Sequence, residues 1–213
     1  MRIDAELGDV ARHGGFFAIR TGPPAPGFRP TADGFDDLVE STARRTGAPD
    51  LRTAASLVQM SVASRLWSPA IACASAFGVV PDFTGLYRAD DSAELLIFRP
   101  TGVRAHGEEE LAALLYRNIF ERHLDPLAAR LRVEVAPGLL DGNAASAMVA
   151  ATHAWCRARP DLRAPAIRLA RKLLQTGRLH GTGTVRGDLV FRRHSCCLYY
   201  RVSGGAKCAD CGI

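Results

Sequence analysis

The sequence lacks the features that mark membrane and exported proteins. None of its apolar runs approaches the roughly 18 uninterrupted residues that a membrane helix needs. The first residues carry acids and lack the apolar central region of a signal peptide. We therefore expect a cytoplasmic protein with no membrane span. In that compartment thiols stay reduced, and clustered cysteines more often bind metals or act in redox chemistry than form disulfides.

Features of nucleic-acid binding are also scarce. Aromatic residues make up only 7% of the chain, and they do not alternate with basic residues as in proteins that bind single strands. The formal net charge of +5 comes almost entirely from arginines that are spread along the whole chain. This charge suits an acidic partner or an anionic small molecule, and we predict no nucleic-acid partner.

The signatures of common enzyme classes are missing as well. The run 181–183 has neither the Lys-Ser/Thr of a phosphate loop nor the third glycine of a dinucleotide fingerprint. No Ser-His-Asp or paired-carboxylate arrangement stands out for hydrolysis. We expect no flavin or nicotinamide site in this chain, so electrons for a redox reaction must come from another protein.

The patterning predicts an α+β fold that is mostly helical, with a small antiparallel sheet and a C-terminal cysteine-rich segment. At 213 residues and 47% hydrophobic content, the chain can bury a core without disulfides. Helical spacing predicts helices over 34–45, 51–76, 107–130, 143–159 and 166–175. Alternation and turn residues predict strands at 86–88, 94–99, 131–135 and 189–193, of which the first two form a hairpin.

Residues that favour helix ends or break helices refine these boundaries. Asp33 is placed to cap the first of the helices, and Gly47 is placed to end it. Pro69 should kink or divide the long apolar helix. No repeat or low-complexity linker separates the cysteine-rich end from the rest. We therefore predict a helical α+β body over 1–180 with the segment 181–213 packed on it.

Four of the six cysteines lie close to the C-terminus, and their spacing points to metal or redox chemistry. Cys208 and Cys211 have the two-residue spacing that lets two thiolates reach one metal centre from a tight turn. Cys196 and Cys197 are adjacent, and neighbours in an extended strand point to opposite faces. Both thiolates therefore cannot easily serve one tetrahedral ion without a bend in the chain at that point.

Three kinds of site compete for these cysteines. A structural zinc site needs four ligands around one ion, and here one of its two usual ligand pairs is replaced by adjacent cysteines. A thiol–disulfide pair of the thioredoxin type would place its CxxC at a strand-to-helix junction. A 2Fe-2S cluster has two irons that each take two thiolates, so it tolerates unequal spacing. The chemistry favours the cluster, with a non-catalytic, zinc-stabilised binding module as the alternative.

The terminal pattern resembles that of a known family. The pattern is Cys-Cys-x10-Cys-x2-Cys, with Arg192 and Arg193 before it and Tyr199 and Tyr200 shortly after the adjacent cysteines. It resembles the C-terminal signature of the FhuF-like ferric-siderophore reductases. The segments 66–70, with 78–82 downstream, and 139–147 are also similar to that family. The resemblance runs from about residue 57 to the end of the chain. Asp141 departs from it, because the family pattern has an aromatic residue there, commonly tryptophan.

The resemblance implies a cofactor, an activity and partners. It implies a 2Fe-2S cluster held by Cys196, Cys197, Cys208 and Cys211, in a cytoplasmic reductase of ferric siderophores, often hydroxamates. Hydroxamate oxygens are hard ligands that match Fe(III), so one-electron reduction to Fe(II) weakens the chelate and releases the metal. The implied partners are a ferric siderophore and an external electron donor such as a ferredoxin or a flavin reductase.

Other polar and apolar residues have more ordinary interpretations. Arg192, Arg193 and His194 stand just before the cysteines. One interpretation is that they donate hydrogen bonds to the cluster sulfurs, bind an anionic substrate or transfer a proton during reduction. The other is that they form a solvated strand edge. Asn143 is expected to cap a helix. Two cysteines and four histidines have no ligand spacing and are expected in the core, at the surface or in ordinary hydrogen bonds: Cys73, Cys156, His106, His123, His153 and His180.

Overall fold

A computed structural model describes all residues from 1 to 213. It confirms the predicted α+β class, which is mostly helical with small sheets and a C-terminal cysteine-rich segment. The α-helices are α1 (Asp4–Ala11), α2 (Asp36–Thr46), α3 (Leu51–Phe77), α4 (Glu108–Leu115), α5 (Asp125–Ala129), α6 (Pro137–Ala158) and α7 (Arg163–Leu173). The strands are β1 (Arg20–Thr21), β2 (Phe28–Pro30), β3 (Val79–Asp82), β4 (Leu86–Ala89), β5 (Leu95–Ile97), β6 (Thr101–Arg104), β7 (Gly183–Arg186) and β8 (Val190–Arg193).

Helix α3 is the centre of the fold and packs along α6. Apolar and small residues dominate it, and its stretch 66–74 is buried on every side. Asp50 caps its N-terminus by accepting a hydrogen bond from the Thr53 amide at 2.8 Å, and Gly78 ends it in the left-handed conformation. The helix continues through Pro69, so the predicted division does not occur. Burial on all sides outweighs the local cost of a proline, which is roughly 3 kcal/mol.

The strands form three small sheets rather than one. In the four-stranded sheet, of order β1-β5-β4-β2, the predicted β4–β5 hairpin is antiparallel and only β1 pairs in parallel. Strands β3 and β6 form an antiparallel pair, and β7 and β8 form another. The β7–β8 hairpin matters for the site, because its second strand ends at Arg193 and leads directly into the cysteines.

Several local predictions are wrong. Helix α2 begins at Asp36 and has no side-chain cap, because Asp33 lies in a separate 3-10 turn. Residues 131–135 form no strand, since no other strand pairs with them. Helix α6 begins at Pro137, the position that proline favours at a helix start. As a result Asn143 lies inside the helix and caps nothing.

The predicted helix over 107–130 is three helical pieces joined end to end. Between α4 and α5 the chain forms a π-helix, Tyr116–Leu124, a rare geometry that often occurs at functional sites. His123 lies in this segment, and its Nε2 atom is buried without a hydrogen-bond partner, contrary to the expectation of an ordinary surface or hydrogen-bonded histidine. Burial lowers the pKa of His123 to about 4, so its imidazole is neutral near pH 7.

The cysteine-rich end shares the core of the rest of the chain. Leu189 and Phe191 belong to the same cluster of buried apolar residues as the side chains of α3 and α6. The division at residue 180 into a body and a packed segment stays a prediction.

No helix combines the length and the apolarity that crossing a membrane requires. Cys73 and Cys156 are buried, as expected.

Candidate metal centre

The fold brings the four C-terminal cysteines together as two pairs of free thiols. The Sγ atom of Cys197 lies 3.3 Å from that of Cys208, and the Sγ atom of Cys196 lies 3.9 Å from that of Cys211. Two thiolates with bonds of about 2.3 Å to one tetrahedral metal stand roughly 3.8 Å apart. Each pair therefore has nearly the spacing of two ligands on one metal.

A bend at Leu198 accompanies the separation of the adjacent cysteines. Leu198 has a φ of 66°, in the left-handed region that costs a residue with a side chain roughly 1–2 kcal/mol. Its amide donates a hydrogen bond to the Sγ atom of Cys196 at 3.3 Å. Just before this turn, Cys196 faces Cys211 while Cys197 faces Cys208. Adjacent cysteines thus belong to different pairs.

The arrangement suits two metal ions better than one. No three His, Cys, Asp or Glu side chains anywhere in the chain converge closely enough to hold a single ion. Two thiol pairs are what a two-iron cluster requires, because each iron takes two thiolates. Partial burial, together with the neighbouring Cys197, raises the pKa of Cys208 to about 11. Metal binding at this pair must therefore displace protons.

The two pairs share the same pattern of exposure. Cys197 and Cys211 are buried, whereas Cys196 and Cys208 are partly exposed. Each pair therefore has one buried thiol and one that solvent reaches. A metal centre built on these thiols has one edge inside the protein and one edge near the surface.

Arg193 is buried completely beside these thiols. Its side chain has 0% exposure, and Nη1 donates a hydrogen bond to the Asn143 side-chain oxygen at 3.1 Å. Nη2 lies 3.3 Å from Asp210 Oδ1, close enough for an ion pair but without the direction of a hydrogen bond. Burial lowers the pKa of Arg193, but the charges of Asp210, Cys197 and Cys208 outweigh that effect and raise it. The guanidinium therefore stays charged.

A buried hydrogen-bond network connects Arg193 to helix α3. The Asn143 amide nitrogen donates to the backbone oxygen of Ser56 at 3.1 Å and to its hydroxyl at 3.0 Å. The Ser56 hydroxyl donates in turn to the backbone oxygen of Cys197 at 2.8 Å. The network therefore ties α3, α6 and the cysteine segment together at the metal centre.

The other residues singled out from the sequence lie elsewhere. Arg192 is exposed, and His194 is exposed with its Nδ1 atom 2.9 Å from the backbone oxygen of Gly181. Of these three neighbouring residues, the fold buries only Arg193 beside the thiols. Asp141, which replaces the aromatic residue of the family pattern, forms an ion pair with Arg178 at 2.7 Å.

Comparison with protein families gives one match. The family model described as "FhuF 2Fe-2S C-terminal domain" matches residues 193–211, a stretch that contains Arg193 and all four cysteines of the two pairs. This segment is similar to the FhuF 2Fe-2S C-terminal domain. The resemblance noted in the sequence is thereby confirmed over this short stretch, and the cofactor is a 2Fe-2S cluster. A search of curated proteins gives no match.

The residues present fit the cofactor of the FhuF family. Two thiol pairs stand near the spacing of ligands on two irons. The buried Nε and Nη2 atoms of Arg193 make no hydrogen bond to a protein atom. Sequence reasoning missed Asn143, Ser56 and Asp210 as neighbours of the site. Only Asp210 carried a signal, because it lies between Cys208 and Cys211.

Proposed function

We propose that Cys196, Cys197, Cys208 and Cys211 are the four ligands of the 2Fe-2S cluster. Cys197 and Cys208 then serve one iron, and Cys196 and Cys211 serve the other. The Sγ separations of 3.3 and 3.9 Å within these pairs support the assignment. The body over 1–180 serves as the scaffold, and the segment 181–213 carries the cluster.

We propose further that the protein is a cytoplasmic ferric-siderophore reductase. The bound cluster supplies one electron at a time, and the siderophore iron takes it up and changes from Fe(III) to Fe(II). Hard hydroxamate oxygens hold Fe(II) less tightly than Fe(III), so the metal is released. A ferredoxin or a flavin reductase returns one electron for each one spent. One observation carries the proposal: the stretch that matches the FhuF model contains four cysteines whose thiols form two close pairs.

The chain's own residues assist by shaping access. Cys196 and Cys208 are partly exposed, so the substrate can approach one edge of the site without entering the core. Cys197 and Cys211 are buried, which keeps water away from the opposite edge. Outer-sphere transfer needs only such an approach, because no bond between the protein and the chelate has to form or break.

The alternative is a binding module stabilised by one zinc ion. Such a site needs four ligands around a single metal, and the thiols stand as two pairs instead. The family that matches residues 193–211 is also described as a 2Fe-2S domain. Both observations favour a 2Fe-2S cluster over a single zinc ion.

A single-turnover experiment tests the proposed reaction. We expect anaerobically reduced protein, freed of excess dithionite, to be reoxidised when a ferric trihydroxamate is added. The visible absorption of the oxidised cluster should return as an Fe(II)-specific chelator gains colour, with about one Fe(II) formed for each cluster oxidised.

The gallium complex of the same trihydroxamate is the control. Ga(III) binds hydroxamates in a similar way but accepts no electron under these conditions, so the protein should stay reduced. If the reduced protein persists equally with the ferric and the gallium complexes, the proposed reductase activity is wrong, even where a cluster is present.

A further inference from the structure

Arg193 is a charged side chain that the fold buries at the metal centre without completing its hydrogen bonds. It is wholly inaccessible to solvent, and its Nε and Nη2 atoms donate to no protein atom. A buried donor left unpaired costs roughly 1–3 kcal/mol, and more when it is charged. Native proteins rarely leave such groups unpaired unless a ligand or a functional role accounts for them.

We infer that Arg193 donates hydrogen bonds from Nε and Nη2 to sulfur atoms on the Cys197–Cys208 side of the cluster and raises its reduction potential. The inference rests on the proposed ligand set. It explains why these two donors make no hydrogen bond to the protein. It also agrees with the closeness of the Cys197 and Cys208 thiols, whose charges raise the pKa of Arg193.

Two side chains hold the guanidinium in this position. Asn143 accepts a hydrogen bond from Nη1 and is itself fixed by Ser56, so the guanidinium cannot swing away from the thiols without breaking a buried network. Asp210 lies beside Nη2, and its backbone oxygen accepts the Arg193 amide hydrogen bond at 3.0 Å. Asn143 is therefore a positioning residue, and it leaves Nε and Nη2 free to donate to the cluster.

The direction of the effect follows from charge. A cluster held by four thiolates is anionic, and reduction adds one more negative charge. A buried cation nearby stabilises the reduced state more than the oxidised state, and hydrogen bonds to the sulfurs act in the same direction. Asp210 is an anion beside the same centre and opposes Arg193. Removing the charge of Arg193 and removing the charge of Asp210 must therefore shift the potential in opposite directions.

Potentiometric titration of the holoprotein, followed by EPR of the reduced cluster, tests this inference. We expect Arg193→Gln to weaken electron uptake at least tenfold, which is about 59 mV toward negative potential for a one-electron couple. Arg193→Lys keeps the charge and should recover at least half of that shift. Asp210→Asn removes an anion of nearly the same shape and should shift the potential in the positive direction.

Arg192→Gln is the matched control, because it removes an exposed arginine one position away. Its potential and EPR spectrum should stay close to those of the unmodified protein. Equal shifts for the variants at 192 and 193, or a negative shift for Asp210→Asn, would overturn the inference. If Arg193→Gln fails to retain the cluster, the sign of the Asp210→Asn shift still decides, together with a shift of less than about 59 mV for Arg193→Lys relative to the unmodified protein. These potentials are measured without any siderophore, so they are independent of the proposed reductase reaction.

Discussion

Cys208→Ser is expected to abolish the 2Fe-2S cluster and ferric-siderophore reduction while the chain stays folded. Cys208 is partly exposed and lies outside the apolar core, so the loss of its sulfur leaves no core cavity. Its partner Cys197, 3.3 Å away, would be left as a lone thiolate for one iron. We expect bound iron and sulfide to fall at least tenfold. Unfolding of the metal-free protein should change by less than about 1 kcal/mol.

Cys156→Ser provides the matched control for this experiment. Cys156 is also a free cysteine, but it is buried in helix α6 and contacts the backbone of Arg163 rather than the other thiols. That variant should keep its cluster and its activity even where it loses stability. Full ferric-siderophore reduction by Cys208→Ser would show that the C-terminal thiols are not the redox centre.

Gly142→Ala is expected to damage the site from the side of helix α6. A Cβ atom added at Gly142 would overlap the Ser195 hydroxyl, which is buried next to Cys196. Relief of that overlap must turn the buried Ser195 hydroxyl or displace the helix or the cysteine segment, and such overpacking typically costs ~1–3 kcal/mol. We expect urea denaturation to show a loss in this range, and iron to be retained less well.

Two further variants separate overlap from any general effect of alanine. Gly138 lies in the same helix with open space at its Cβ position, so Gly138→Ala should stabilise by up to about 1 kcal/mol through helix propensity. Adding Ser195→Ala to Gly142→Ala leaves only an ordinary contact of 3.4 Å, so the double variant should regain most of the lost stability. A double variant as unstable as Gly142→Ala would refute the overlap as the cause.

The candidate metal ligands can be picked out in the sequence because their signal is local. The spacing of Cys208 and Cys211 and the adjacency of Cys196 and Cys197 are visible without a fold, and ligand chemistry limits what they can bind. The turn that follows the adjacent pair could not be predicted. It contains Leu198 in a left-handed conformation, which sequence patterns rarely indicate for a leucine.

The network around Arg193 could not be predicted because its members are distant in the chain. Asn143 and Ser56 are 87 residues apart, and Ser56 and Cys197 are 141 residues apart. The sequence pattern predicts a helix that begins at Asn143, where asparagine would be a cap, but α6 begins six residues earlier. Once the helix begins at Pro137, a buried asparagine in its interior needs a polar partner, and the network supplies one.

The errors in secondary structure have a common physical origin. Pro69 was expected to kink or divide α3, but the helix continues through it, because packing around the buried stretch 66–74 outweighed local propensity. Residues 131–135 alternate like a strand, yet a strand needs a partner and the fold offers none there. Local patterns predicted the helical class well, because α3 and α6 are long runs of apolar and small residues, of 27 and 22 residues. They failed where tertiary contacts decide.

We propose above all that four cysteines in two pairs hold a two-iron cluster. Iron, acid-labile sulfide and zinc analysis of anaerobically purified protein, with its visible spectrum before and after dithionite, tests this claim most directly. The claim predicts a red-brown protein with about two irons and two sulfides per chain, whose absorption is bleached on reduction. A colourless protein with about one zinc per chain and no sulfide would contradict it.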